Sequence, residues 1–398
     1  MHVTRNLPQA TPFPVSEFRE RVERLQAKMQ AQRLDALLLT SEANVEYVSG
    51  FWTLFAWNSP SRPWYLVLPL VGDPIGVIPQ VGESNWRTTS WVEELRTWPS
   101  PRPEDEGVTL LLQTFRDLPR RFGRVGAELG PETRLGMTAS DLFAVIDGLH
   151  PLEVVDGSTV IRQVREIKSF LEIERVATIC TIASEAFAAL PGQFQKGDSE
   201  RSLAQKFQAD LMLRGAEKTP YVAMSSGPGG YVSSSTWPSD RILAKGDVLM
   251  IDTGSRLDGY FCDFNRNFAF GEASDEVKRT HAALVAATNA GIQAVRPGVS
   301  MRDLFHVQLD VLEAHGMRCG IVGRFGHGLG KLMTEWPSVK TDDYGVLKPG
   351  MIMTIEPSVL LTNGSPMLHE EDVVVTDDGC SVLSRPAHPD IACLPLEA

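Results

Sequence analysis

Apolar residues recur at helical spacing through residues 16–33 (SEFRERVERLQAKMQAQR), and Ser16 stands where an N-cap would open that helix. DALLLT (35–40) is a short apolar run of buried-strand type. WYLVLPLV (64–71) and PIGVIPQ (74–80) predict two more strands, with Gly72 and Asp73 as the turn between them. GRVGAEL (123–129) predicts another. The turn-rich stretch SPRPEDEG (100–107) reads as a loop inside this region, because a helical pattern resumes at 108–118. Strands alternating with helices predict an α/β domain.

The pattern changes near 151–162, and the division is set at 1–156 and 157–398. Beyond it, helical spacing covers 170–190, 199–214, 275–295 and 301–316. Strand-like runs fall at 247–252, 259–270, 351–356 and 370–376. Helices with antiparallel-looking strands between them predict an α+β second domain.

Bulk composition changes this picture little. Apolar residues make up 43% and charged residues 22% of 398 residues, enough for a sizeable core in a globular protein of two or three domains. The net charge of -12 argues against nucleic acid or an anionic membrane surface as the main partner. Cys180, Cys262, Cys319, Cys380 and Cys393 are odd in number and scattered, with no CxxC pair. That reads as reduced thiols in a cytoplasmic protein. No signal-like apolar core opens the chain and no run approaches a membrane span.

Four short pieces carry chemistry. In LMIDTGSRLDGYFCDFNRNFAFG (249–271), Asp252 ends an apolar strand and Asp263 follows eleven residues on. A strand that turns at Gly254 or Gly259 and returns can bring the two carboxylates together. In GRFGHGLGKLMTEWPS (323–338), His327 stands between Gly326 and Gly328, a frame that lets the backbone approach a ligand closely. In MIMTIEPS (351–358), Glu356 ends an apolar strand, where an unpaired carboxylate would be costly. In MLHEEDVVVTDDG (367–379), Glu370 opens a β-rich run in which Glu370 and Asp372 share a face and Glu371 points away. Four carboxylates and a neutral imidazole carry a charge of about -4, which two divalent ions roughly 3.5–4 Å apart would neutralise. An oxygen-rich set with one histidine suits Mn²⁺ first, with Co²⁺, Fe²⁺ or Zn²⁺ as alternatives.

The order Asp, Asp, His, Glu, Glu in these settings resembles the pita-bread metallohydrolases: methionine aminopeptidase, aminopeptidase P, prolidase and creatinase. The likeness spans roughly 157–385. It runs from REIKSFLEIERV (165–176) through SGPGG (226–230), PSDRILAKGDVLMIDTG (238–254) and GYFCDFNRNFAFG (259–271) to GHGLG, LKPGMIMTIEP (347–357) and HEEDVVVTDDG. VERLQAKMQAQRLDALLLTSEANVEYVSGF (22–51) resembles the opening of the longer members. The resemblance implies a creatinase-like α/β N-terminal domain and an α+β pita-bread catalytic domain. It implies Asp252, Asp263, His327, Glu356 and Glu370 as ligands of two metal ions. The last ligand is Glu370 by its spacing from Thr376, with Glu371 as the alternative. Glu356 and His327 are the implied catalytic residues, hydroxide on the metal pair attacking an amide carbonyl. It further implies a homodimer in which the aromatic loop 51–64 reaches the partner's site, making Phe55, Trp57 and Arg62 substrate contacts; packing in the core or dimer is the other reading.

The chain departs from the peptidases of this group at two histidine positions, which here hold Ser235 and Thr334, and at an arginine position, which holds Leu368. A hydroxyl cannot serve as a base near neutral pH as histidine can. Ser235 and Thr334 are therefore expected to orient substrate by hydrogen bonds, with His369 beside Glu370 as a further contact. Two enzymatic readings stay open. One is an Xaa-Pro dipeptidase or aminopeptidase acting on small peptides. The other is a creatinase-like hydrolase or lyase acting on a small zwitterionic, guanidino or ectoine-type compound, with Trp237 and Trp336 as a cation cage or as ordinary packing. A non-catalytic binding module is a third class, disfavoured by the complete ligand set.

Overall fold

The computed structural model describes residues 11–53, 62–319 and 323–394. The chain divides into two compact units, 1–165 and 166–398. The first contains α1 (Val15–Gln32), β1 (Ala36–Leu39), α2 (Glu42–Ser49), β2 (Tyr65–Pro69), β3 (Ile75–Pro79), α3 (Glu83–Thr89), β4 (Leu95–Trp98), α4 (Val108–Arg116), β5 (Arg124–Ala127), α5 (Ala139–Leu149), β6 (Glu153–Asp156) and α6 (Ser158–Arg165). The sequence-based division at 156/157 falls just before α6. The structure keeps that helix with the first unit, where Arg24 donates to the Val164 carbonyl at 2.8 Å and Arg165 to Asn44 Oδ1 at 2.6 Å.

Phe18, Val22, Leu25 and Met29 recur every three or four residues on α1 and are all buried. Pro14, not Ser16, occupies the N-cap, so Ser16 lies in the first turn. The sheet runs β4-β3-β2-β1-β5-β6. β1 pairs antiparallel with β2 and parallel with β5, which explains its unbroken apolar run: neither face meets water. At the end of β5, buried Glu128 accepts from the Thr40 N–H at 2.6 Å, the Thr40 hydroxyl at 3.0 Å and the Ser41 N–H at 3.0 Å, and also from the Ser41 hydroxyl and Asn44. Glu128→Ala would leave those donors without an acceptor in the interior. It should lower the unfolding free energy by about 3 kcal/mol, read from the denaturation midpoint. An unchanged midpoint would contradict this account of how β1 meets α2.

The second unit contains α7 (Phe170–Gln193), α8 (Glu200–Leu213), β7 (Lys218–Pro228), β8 (Asp247–Leu257), β9 (Tyr260–Phe261), β10 (Phe264–Phe270), α9 (Asp275–Ala294), α10 (Met301–Ala314), β11 (Arg318–Cys319), β12 (His327–Gly328), β13 (Glu335–Ser338), β14 (Ile352–Ile355), β15 (Ser358–Leu360), β16 (Pro366–Leu368), β17 (Glu371–Val375), β18 (Cys380–Val382) and β19 (Ala392–Leu394). A reciprocal capping box, Ser169 with Glu172, starts α7, and Ser199, Ser274 and Ser300 cap α8, α9 and α10. The run expected as one strand at 259–270 breaks at Cys262 and Asp263 into β9 and β10.

Two sheets position the site. One has the order β19-β10-β8-β7, and the other β13-β12-β14-β17-β18. A single core of Met250, Leu284, Leu304, Met353, Ile355 and Val373 joins them to α9 and α10. Among the described residues no helix is long and apolar enough to cross a membrane.

Candidate metal centre

Each acidic candidate sits where a strand ends, bends or pairs. Asp252 lies in β8 opposite Asn265 of β10 and Ala223 of β7. Asp263 falls in the break before β10, and its N–H donates to Asp372 Oδ2 at 2.9 Å. Glu356 follows β14, its N–H bonded to the Phe325 carbonyl at 3.1 Å. Glu370 immediately precedes β17, whose register sets Glu371 against Ile355 and Asp372 against Thr354.

The glycines around His327 have a steric cause. Gly326 adopts φ +139°, and a Cβ there would lie 2.2 Å from the Thr354 carbonyl oxygen. A Cβ on Gly328 would lie 2.1 Å from the Trp336 carbonyl oxygen. The backbone therefore passes between two neighbouring strands, and the His327 N–H donates to Thr354 Oγ1 at 3.1 Å. His327 Nδ1 faces its neighbour's carbonyl, Gly328 O, at 2.9 Å. A donor on Nδ1 leaves Nε2 bare.

That bare nitrogen looks into a cluster of acids. Nε2 lies 3.5 Å from Asp263 Oδ2 and 4.0 Å from Glu356 Oε2. Donor atoms of Asp263, His327 and Glu370 all lie within 4.8 Å of one another. Burial, with Arg324 next, depresses His327 to about 4, so the ring is neutral at physiological pH. Burial raises Asp252 to about 7 and, together with Asp252, raises Glu356 to about 8. Asp263 and Glu370 are pushed well above the carboxylate range by burial first and then by their acidic neighbours. Asp252 Oδ1 and Glu370 Oε1 are buried without a hydrogen-bond partner. Orphaned carboxylate oxygens beside a neutral imidazole fit divalent cations, which would supply the missing partners and lower these pKa values together.

The family models match this architecture segment by segment. Metallopeptidase family M24 matches residues 174–377, and the creatinase/prolidase N-terminal domain matches residues 21–167. The chain belongs to metallopeptidase family M24. As an M24 member it is a hydrolase that uses divalent metal ions. Among its relatives, the Xaa-Pro dipeptidase of Pyrococcus furiosus is 25% identical over 368 residues, covering 92% of this chain and 98% of that protein. The probable dipeptidase PepE of Mycobacterium bovis is 28% identical over 329 residues, covering 81% and 84%. The solved structure of dipeptidase PepE from Mycobacterium ulcerans superposes with a TM-score of 0.82 at 26% identity, covering 96% and 99%. The prolidase of Thermococcus sibiricus gives 0.84 at 24% identity, covering 95% and 99%.

Within this M24 fold the other named residues differ in burial and in partners. Thr334 is half-buried and accepts from Arg324 Nη2 at 3.4 Å. Ser235 is exposed, and its N–H bonds to Ser233 Oγ at 3.2 Å. Trp237 is 77% exposed and has no ring partner among the described residues, while Trp336 is half-buried. His369, expected to contact substrate, is buried. It meets Thr288 Oγ1 at 3.0 Å and Glu371 at 3.4 Å, and packs edge-on against His281. Glu371 is bound to Arg266 at 2.9 Å; that guanidinium and the His369 and Ser384 hydrogen bonds outweigh burial and hold it at about 2. The structure thus gathers Glu370 with His327 and ties Glu371 to structural partners. Phe55 and Trp57 lie outside the described residues. Arg62 is half-buried at φ +70°, its charge felt by Glu106 in the first unit.

Three groups escaped the sequence reading or were only glimpsed in it. Tyr221 of β7 hydrogen-bonds Asp252, and burial with the surrounding acids raises its phenol. Asp372 backs the cluster, holding Asp263 and accepting from Cys180 Sγ at 3.2 Å; its shared face with Glu370 was the available signal. Arg324 lies beside the glycine frame, which was a signal of position only.

Proposed function

We propose that this chain is an Xaa-Pro dipeptidase-type metallohydrolase whose ions are held by Asp252, Asp263, His327, Glu356 and Glu370. The observation that carries the reading is the buried cluster of orphaned carboxylate oxygens facing a bare imidazole nitrogen. Full-length likeness to proteins named Xaa-Pro dipeptidase supports the substrate class. When bound, the ions supply Lewis acidity, lowering the pKa of water and polarising a carbonyl. Asp263, His327 and Glu370 form the fixed floor of the site. Glu356, with 23% of its side chain exposed, is the acid with room to move a proton. It takes the proton of the attacking water on a carboxylate oxygen and returns it to the departing amide nitrogen of proline. Tyr221 steadies Asp252, and Asp372 steadies Asp263 through its backbone.

Mn²⁺ is the metal best suited to this oxygen-rich set. Cytoplasmic residence fits the five free cysteines, and pairing of two copies rests on the family resemblance. The exposed Trp237 gives no support to the small-zwitterion alternative. Incubation with a panel of Xaa-Pro dipeptides and Mn²⁺ should release free proline. No release from metal-loaded protein would overturn the proposal.

A further inference from the structure

A dipeptide brings a free carboxylate within a few bonds of its scissile amide, and the metal cluster is itself built of carboxylates. Such a substrate needs a cation at the rim, outside the ions' own ligands. Most basic groups nearby are committed. Arg266 holds Glu371 and three backbone carbonyls. Lys168 is paired with Glu335 at 3.3 Å, Lys331 lies over the Tyr260 ring, and Arg256 meets Glu217.

Arg324 is different. It is half-buried three residues before His327, and among the described residues it makes no ion pair. Its hydrogen bond goes to the Thr334 hydroxyl. Its positive charge is nonetheless felt by Asp263, His327 and Glu356. The backbone beneath it is clamped. Phe325 is buried and stacked on Phe305 with centroids 4.4 Å apart. Its N–H bonds to the Val339 carbonyl at 2.8 Å, and its carbonyl accepts from Glu356 N at 3.1 Å and Gln308 Nε2 at 3.2 Å. A guanidinium presented from a fixed base pays little ordering entropy on binding.

We infer that Arg324, aligned by Thr334, is the specificity residue that receives the free carboxylate of a dipeptide-sized substrate. This rests on the dipeptidase reading. Thr334 Oγ1 accepts from Arg324, so its own proton is free to donate to the same carboxylate. A planar guanidinium suits two parallel bonds to carboxylate oxygens. The site should therefore prefer a free C-terminus over an amide.

The test compares Ala-Pro with Ala-Pro-amide for wild type, Arg324→Gln and Arg324→Lys. It also measures binding of proline and of prolinamide to the Mn²⁺-loaded proteins by calorimetry. Wild type should favour the acid in both assays. Arg324→Gln should lower the acid-to-amide ratio of kcat/KM at least tenfold, mainly through KM, and weaken proline at least tenfold relative to prolinamide. Arg324→Lys should recover part of both. Metal content and melting temperature serve as folding controls. If Ala-Pro is cleaved but Arg324→Gln keeps the acid preference, Arg324 is excluded and the dipeptidase reading stands. If no Xaa-Pro dipeptide is cleaved but proline binding depends on Arg324, the dipeptidase reading falls and the carboxylate role stands. Proline failing to bind wild type, or binding the Gln variant equally well, overturns the inference.

Discussion

Replacing Glu356 with glutamine should reduce kcat on an Xaa-Pro dipeptide by ~10³-fold or more, the size expected when a positioned proton carrier is lost. The change keeps the shape of the side chain and removes its charge and its capacity to hold a proton. Three features single out Glu356 among the acids of the cluster. Its side chain is partly open, whereas Asp263 and Glu370 are buried. Its Oε2 stands 4.0 Å from His327 Nε2, at the edge of the cluster. Burial and the neighbouring Asp252 raise its pKa in the metal-free cluster, and bound cations would bring it back down to a carboxylate that can take up a proton. Asp263, His327 and Glu370 remain in Glu356→Gln, so at least one ion should still bind. Elemental analysis of the variant separates lost chemistry from lost metal. A variant that binds metal and keeps more than a tenth of wild-type kcat would remove Glu356 from the proton path.

The readable part of the site came from local punctuation. Asp252 and Glu356 end apolar strands, and an acid there demands a partner wherever the strand leads. The glycines at 326 and 328 announced a close approach, and the structure names what is approached: the Thr354 and Trp336 carbonyls. Period-two alternation separated Glu370 and Asp372 from Glu371. The same alternation puts His369 with Glu371, and the two lie 3.4 Å apart. What stayed hidden depends on pairing between distant segments. Tyr221 reaches Asp252 because β7 runs antiparallel to β8 with Ala223 opposite Asp252, a register that no local pattern states. Arg324 acquires meaning only from Asp263 and Glu356, which the β9–β10 break and the end of β14 bring within reach of its charge. In the first unit, the apolar strands were legible because β1 and β2 are buried throughout. The edge of that unit was less so, because α6 is tied back by Arg24 and Arg165 through contacts far apart in sequence.

Stripping the metal should make stability fall steeply as pH rises. In the metal-free protein Asp252 and Glu356 titrate near 7 and 8 in the folded state, against 3.8 and 4.5 as ordinary carboxyls, with burial the leading cause for both. Asp263 and Glu370 shift the same way. The folded chain then binds more protons than the unfolded chain between those limits. Its stability is fully present below about pH 4 as far as these groups are concerned. It is lost as pH rises through the folded-state values, at about 1.4 kcal/mol per pKa unit for each group. Chelator-treated protein should therefore lose several kcal/mol between about pH 4 and about pH 8, seen as a steadily falling melting temperature. Bound cations convert the same acids into neutralised ligands, so the loaded protein should show a much flatter profile and should release protons when Mn²⁺ is added near pH 7. Calorimetry in buffers of different ionisation enthalpy counts those protons. Asp252→Asn in the metal-free protein should flatten part of the slope, which separates the cluster from general alkaline instability. Equal pH profiles with and without metal, or no proton release on loading, would mean that these acids do not form one buried, cation-dependent cluster.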